Sequence, residues 1–169
     1  NLPKNHLIYY KEHPAFFLEM GKGFLGRSKE YYDRLRKISK IRFLSKDSNV
    51  YELIDKSEFV VTSGGTIGWE AIIRGKQVMS FGDIWYKKSD GVSEINSLED
   101  FQTFFNNYHE NIPKSTNIDA YAQSIYDNCF LLEKDFFRDK LDFETLEYKK
   151  DIEKISKAFY NYYNKVYKN

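Results

Sequence analysis

The sequence predicts an α/β fold, a parallel sheet followed by a helical C-terminal extension, on three observations. Short apolar, β-branched and aromatic runs recur at residues 6–10, 41–44, 59–62 and 78–81. Between them lie stretches whose apolar residues repeat at helical spacing. The runs stop at turn-forming or capping residues: Lys11-Glu12-His13-Pro14, Ser45-Lys46-Asp47-Ser48, Ser63-Gly64-Gly65-Thr66 and Gly82. Strand and helix in alternation is the pattern of parallel pairs joined by right-handed crossovers.

Each element follows from its own residues. His6-Leu7-Ile8-Tyr9-Tyr10 reads as a buried strand that ends before Pro14, a residue that bars a helix just ahead of it. Residues 15–28 hold Gly21, Gly23 and Gly26 and read as a loop, after which Ser28 is placed to cap the charged, periodic stretch Lys29 to Ser39. Ile41-Arg42-Phe43-Leu44 forms the second strand. Asp47-Ser48 then most simply caps a helix in which Val50, Leu53 and Ile54 share a face. Phe59-Val60-Val61-Thr62 leads through small residues into a helix from Ile67 to Arg74 with Gly75 as its C-cap, and Val78-Met79-Ser80-Phe81 is the fourth strand. Past Gly82 the pattern changes, and Gly91 to Ile95 is too weak a segment to predict another strand. Leu98, Phe101, Phe104 and Phe105 mark one helix and Ile118 to Lys134 another. Tyr148, Ile152, Ile155, Phe159, Tyr162 and Val166 form the apolar stripe of a long terminal helix. That stripe is expected to pack on protein, although its Tyr- and Lys-rich end also suits a membrane interface. The sheet domain is expected over 1–110 and the helical extension over 111–169.

Composition narrows the function classes. A chain of 169 residues has room for one sizeable core, and 41% hydrophobic with 18% aromatic content is too much for a disordered one. With 26 Lys+Arg against 25 Asp+Glu, a net charge of +1 supplies no drive toward nucleic acid. No run reaches the roughly 18 consecutive apolar residues of a membrane span. The single Cys129, among Tyr126, Phe130 and Leu131, is expected to be a buried structural thiol, in keeping with a reducing, cytoplasmic setting. His6 and His109 have no metal-ligand spacing to other donors, so no metal is expected. The start at Asn1-Leu2-Pro3-Lys4 reads as that of a portion of a longer protein.

In an open parallel sheet, ligands bind beyond the carboxyl ends of the strands. His13, held by Pro14 past the first strand, can donate a hydrogen bond to a phosphate or act as a general acid; its plainer reading is a turn histidine. Ser63-Gly64-Gly65-Thr66-Ile67-Gly68-Trp69-Glu70-Ala71 is more informative. Gly64 and Gly65 let backbone N–H groups approach an anion, Ser63 and Thr66 add hydroxyl donors, and a helix starts there. It lacks the Lys of a Walker loop and the spacing of a dinucleotide or hydrolase motif. Glu70, one turn after Thr66, suits the hydroxyls of a ribose, or stabilises the helix start. Trp85 and Tyr86, read as exposed on the loop after the fourth strand, are placed to stack on a base or sugar. Ser48 is a minor candidate for base or phosphate contact.

Taken together, Lys11-Glu12-His13-Pro14, the Ser48-Asn49 to Ile54 helix, Ser63 to Ala71, and Gly75-Lys76-Gln77-Val78 running into Phe81-Gly82 and Trp85-Tyr86 resemble the bacterial capsule polysaccharide biosynthesis family. That family includes the Kdo transferases, and the resemblance covers residues 5–95. It implies a Rossmann-like C-terminal half of a GT-B glycosyltransferase, metal-independent and without a cofactor. The implied donor is a nucleotide sugar, CMP-Kdo or a relative, and the acceptor a glycan or glycolipid. A missing N-terminal domain would supply the general base, and the intact enzyme would associate peripherally with the inner membrane. By the same resemblance His13, Ser63 and Thr66 would contact the donor phosphate and Glu70 the nucleotide. Gln77 stands where the family pattern leads one to expect Pro. A UDP- or GDP-sugar transferase, an epimerase on the same architecture, or a non-catalytic nucleotide- or carbohydrate-binding module remain alternatives.

Overall fold

A computed structural model describes residues 6–17, 25–110, 112–127, 129 and 146–167. The chain divides into two compact units, residues 1–87 with 91–112, and residues 88–90 with 113–169.

The first unit is the α/β part. Its elements run β1 (Ile8–Tyr10), α1 (Lys29–Arg36), β2 (Ile41–Phe43), α2 (Val50–Lys56), β3 (Phe59–Thr62), α3 (Ile67–Ile73), β4 (Gln77–Ser80), β5 (Val92–Glu94) and α4 (Leu98–Asn107). Among the described residues every strand pair is parallel. The hydrogen bonding forms two ladders rather than one continuous sheet, β1–β2 and β3–β4–β5. Three-residue strands such as β1 and β2 make too few ladder bonds to extend pairing beyond their own partner. Aromatic packing joins the two ladders instead, with the ring of His6, just ahead of β1, centred 6.2 Å from that of Phe59 at the start of β3.

β5 is a strand that the sequence reading left out. Val92-Ser93-Glu94 is half polar and too short to show alternation, yet its backbone pairs with β4 in the register Val78↔Val92 to Ser80↔Glu94. Its pairing makes β4 the central strand of the ladder, and all four β4 residues are buried. Alternation along β4 puts Val78 and Ser80 on one face and Gln77 and Met79 on the other. Met79 packs with Ile95, Phe104 and Tyr108, backed by Phe59, Phe101 and Phe105. Ala71 and Ile72 of α3 are fully buried.

The caps are local chemistry. Ser28 accepts the N–H of Tyr31 at the start of α1, and Ser97 and Asp100 form a reciprocal capping box on α4. The cap of α2 is Asn49, whose side chain accepts from Tyr51 and Glu52; it replaces the expected Asp47-Ser48, because only Asn49 precedes the first helical turn with extended backbone. Gly75, at φ +75°, follows α3 in the left-handed region, and the N–H groups of Gly75 and Lys76 close on the carbonyls of Ile72 and Ala71. This is a Schellman ending, which selects glycine.

A hydrogen-bonded trio closes the α4 side. Tyr108 donates to Glu58 at 2.7 Å, and His6 Nε2 lies 3.2 Å from both Tyr108 Oη and Glu58 Oε2. Burial, reinforced by Glu58, pushes the Tyr108 phenol up to about 12 from its ordinary 10.0. The hydrogen bond from Tyr108 holds the Glu58 carboxyl below its ordinary 4.5. The folded state thus favours protonated Tyr108, a contribution complete below pH 10.0 and lost as pH rises toward about 12. Ionised Glu58 contributes above pH 4.5 and that contribution is lost as pH falls through its lowered value. The gap in Tm between the parent and Tyr108→Phe should therefore be widest at neutral pH and narrow on both sides. A gap independent of pH, measured by thermal denaturation, refutes the linkage.

The second unit holds α5 (Ser115–Asp127) and α6 (Leu146–Tyr167). The Asp90 carboxylate accepts from the Lys114 N–H and the Asn117 amide, both at 3.0 Å, and so fixes the entry into α5. The expected continuation of α5 to Lys134 falls outside the described residues, apart from Cys129. Cys129 is exposed, contrary to the buried thiol its apolar neighbours suggested: α5 has ended at Asp127, so the thiol has no helix face to carry it inward. On α6, Phe159, Tyr160, Tyr162 and Tyr163 are exposed and Asp151 is buried, with Lys154 Nζ at 3.5 Å. The side chains of Tyr148 and Val166 lie outside the described residues. Among the described residues no helix is long and apolar enough to cross a membrane.

Candidate functional site

β3 and β4 end side by side, Thr62 opposite Ser80, and the two strands finish in the same way. Thr62 Oγ1 donates to the Gly64 carbonyl at 2.5 Å and accepts the Gly64 N–H at 3.1 Å. Ser80 Oγ donates to the Gly82 carbonyl at 2.9 Å and accepts the Gly82 N–H at 3.3 Å. Each hydroxyl thereby turns the chain out of the sheet without leaving buried backbone groups unpaired. The two turns lie so close that a Cβ on Gly82 would sit 1.9 Å from the Ser63 carbonyl oxygen. Gly82 is required by this approach, where the sequence suggested only a strand end.

Beyond Thr62 the chain passes through Ser63, Gly64, Gly65 and Thr66, all exposed. Gly65 takes φ +81°, and nothing lies within 4 Å of a Cβ built on Gly64 or Gly65. The loop therefore presents its backbone to open space. Thr66 stands at the N-cap of α3 with helical backbone and no side-chain cap. Its hydroxyl donates to Glu70 Oε1 at 2.9 Å. Thr66 and Glu70 are thus joined as a unit.

The loop is anchored from beneath by Tyr86. Its ring is fully buried and its hydroxyl donates to the Gly65 carbonyl at 2.8 Å. Burial raises the phenol above its ordinary value, and the backbone N–H groups of Gly68 and Trp69 oppose that shift. Those N–H groups belong to the first turn of α3, so the phenol oxygen serves as the cap that Thr66 does not provide. Tyr86 consequently cannot stack on a ligand, as its place after the fourth strand had suggested. A Cβ on Gly68 would lie 2.3 Å from the Tyr86 oxygen, so glycine at 68 lets the phenol in. Trp85 remains half exposed, its ring 5.2 Å from Trp69 and 5.0 Å, edge-on, from Tyr86.

His13 lies past β1, exposed, with Nδ1 accepting the Ala15 N–H at 3.1 Å. That bond is the turn role; it also places the proton of the neutral ring on Nε2, which is left as an outward donor. Among the described residues no hydrogen bond joins His13 to Ser63–Glu70. The residue next to it, Glu12, is buried and accepts from Tyr10 at 2.6 Å, Arg27 at 2.7 Å and Tyr32 at 3.1 Å. Burial and the bond to Glu12 raise the Tyr10 phenol. Sequence reasoning missed this anchor of the His13 turn, and Arg27, in a glycine-rich loop, gave no spacing signal for it. Ser48 is half-buried, with its N–H bound to the Ser45 carbonyl.

The acidic residues near β4 are engaged. Asp83 pairs with Lys87 at 2.7 Å, and that bond holds its carboxyl below the ordinary range.

The family described as capsule polysaccharide biosynthesis protein matches residues 1–131. Nothing among curated proteins or solved structures matches the chain. The matched span takes in β1 to β5, the turns that end β3 and β4, and α1 to α5. The chain belongs to the capsule polysaccharide biosynthesis family, and its role lies in capsule synthesis.

Proposed function

We propose that the chain is the donor-binding half of a metal-independent glycosyltransferase, transferring a Kdo-like sugar from a CMP-activated donor in capsule or lipopolysaccharide synthesis. The observation that carries this reading is the Ser63–Thr66 loop, two hydroxyls and two glycines open to solvent at the carboxyl end of β3. Because Tyr86 takes the amides of Gly68 and Trp69, the donor phosphate is held by the hydroxyls of Ser63 and Thr66 and the amides of Gly65 and Thr66, the single Thr66 hydroxyl proton turning from Glu70 to the phosphate as the donor binds. His13 Nε2 supplies a further donor as charge develops on the departing phosphate. Glu70, released by Thr66 in that turn, meets a ribose hydroxyl.

Thr66→Ala and His13→Ala should each weaken nucleotide binding by about 1–3 kcal/mol, the range for losing a hydrogen bond to a charged group. Calorimetric titration of CMP, UDP and GDP tests this and selects the base. If both variants bind like the parent, the phosphate assignment fails. Glu70→Gln should cost affinity for ribonucleotides but not for inorganic phosphate; equal losses would mean that Glu70 acts on the fold of α3 alone.

Asp83 and Asp90 are not proposed as the general base for the acceptor hydroxyl. Each is already tied, to Lys87 and to Lys114 with Asn117. The peripheral membrane association and glycolipid acceptor belong to the same reading.

A further inference from the structure

The residues of α6 change character along the helix. Ile152, Ile155, Phe159, Tyr162 and Val166 recur every three or four residues and so share one face. The first part of that face carries isoleucines, residues suited to packing on protein, and Ile155 is half-buried. From Phe159 onward aromatic rings take over, and Phe159, Tyr160 and Tyr162 are 72%, 63% and 65% exposed. A ring left in water gains nothing from burial. At a bilayer surface the same ring enters the acyl boundary while a tyrosine hydroxyl stays wet among the headgroups.

Charge selects the kind of surface. From Lys154 to Asn169 the sequence has four lysines and no Asp or Glu. The whole chain carries only +1, so everything before this segment is net acidic and the positive charge is concentrated here. Lys157 and Lys165 are exposed and lie off the Phe159 face, where their long stems let the ammonium groups reach phosphates around an embedded ring. Among the described residues no helix is long and apolar enough to cross a membrane. A helix with one apolar, aromatic face and a basic face opposite lies in the plane of the interface instead. The exposed Leu98 of α4 lacks this match, being followed by Glu99 and Asp100. We propose that the second half of α6, from Phe159, docks flat on an anionic phospholipid bilayer. Of the proposed function it rests only on the membrane association, to which it gives an element; the donor site has no part in it.

The test is flotation of the 169-residue chain with vesicles of phosphatidylglycerol and phosphatidylethanolamine, and with vesicles of phosphatidylcholine alone. The chain should float with the anionic vesicles and about tenfold less with the neutral ones. Salt at about 1 M, where charges act over only about 3 Å, should weaken the binding. Lys157→Glu with Lys165→Glu should reduce it about tenfold or more, since each lysine near an anionic surface is worth about fivefold. Phe159→Ser with Tyr162→Ser should abolish it while the far-UV circular dichroism stays that of the parent, both side chains being exposed. Leu98→Ser should float as the parent does. The proposal is overturned if anionic vesicles do not bind the parent, if neutral ones bind it equally, if either α6 variant floats like the parent, or if Leu98→Ser loses binding as well. It is overturned too if vesicles are not bound and sedimentation velocity shows a dimer that Phe159→Ser with Tyr162→Ser breaks up, since the face then holds a second copy of the chain. Failure of the donor assignment shows instead in CMP titration of the parent, so the two are read apart.

Discussion

Gly82→Ala will be the most damaging single-methyl change in the α/β unit. The added carbon would lie 1.9 Å from the Ser63 carbonyl oxygen and 2.9 Å from its carbon, both backbone atoms that no rotamer change can move. Relief requires the β3 and β4 turns to separate, which breaks the Ser80–Gly82 bonds and displaces the Ser63–Thr66 loop. Overpacking that forces backbone shifts costs about 3 kcal/mol or more. Thermal denaturation should show a Tm lower by several degrees, and residual folded protein should bind nucleotide less well. By contrast, Gly64→Ala meets nothing within 4 Å and should cost little stability. If both alanines behave alike, the close approach of the two turns is wrong.

Gly68→Ala should come next, and its cause can be isolated. The new Cβ would sit 2.3 Å from the Tyr86 oxygen and 2.9 Å from two carbons of a ring that is fully buried and cannot swing aside. An expected loss of about 2–3 kcal/mol follows from overpacking. Tyr86→Phe alone should cost about 1–3 kcal/mol, since the Gly65 carbonyl loses its donor and the start of α3 its cap. Because the removed oxygen is the nearest clashing atom, the double variant should be markedly less destabilised than the sum of the two. A double-mutant cycle by denaturant titration checks this; strict additivity would show that residues 68 and 86 do not share the contact.

Both changes concern residues that the sequence marked for another reason. Gly82 read as the end of a strand and Tyr86 as an exposed stacking ring, because chain position placed them on a strand-end loop. What they do depends on Ser63 and Gly65, some twenty residues earlier, and no local pattern encodes that distance. The same holds for Glu12, whose partners Tyr10, Arg27 and Tyr32 come from three different segments, and for Gln77, a departure from a family pattern whose burial is set only by what packs on β4.

Local physics, by itself, determined the alternation of strands and helices, the Ser28 cap, the left-handed glycine after α3 and the hydroxyl-rich loop after β3, and with them the family. Each of these is set by periodicity, side-chain-to-backbone hydrogen bonding or allowed φ within a few residues. The tertiary structure alone decided that β5 joins β4, that the ladders are two, that Cys129 is exposed and that Tyr86 caps α3 from the interior. A strand as polar as Val92-Ser93-Glu94 is made by its partner's unpaired backbone, and burial of a ring or thiol is settled by which surfaces meet. Those are non-local free energies, summed over contacts that the order of residues does not display.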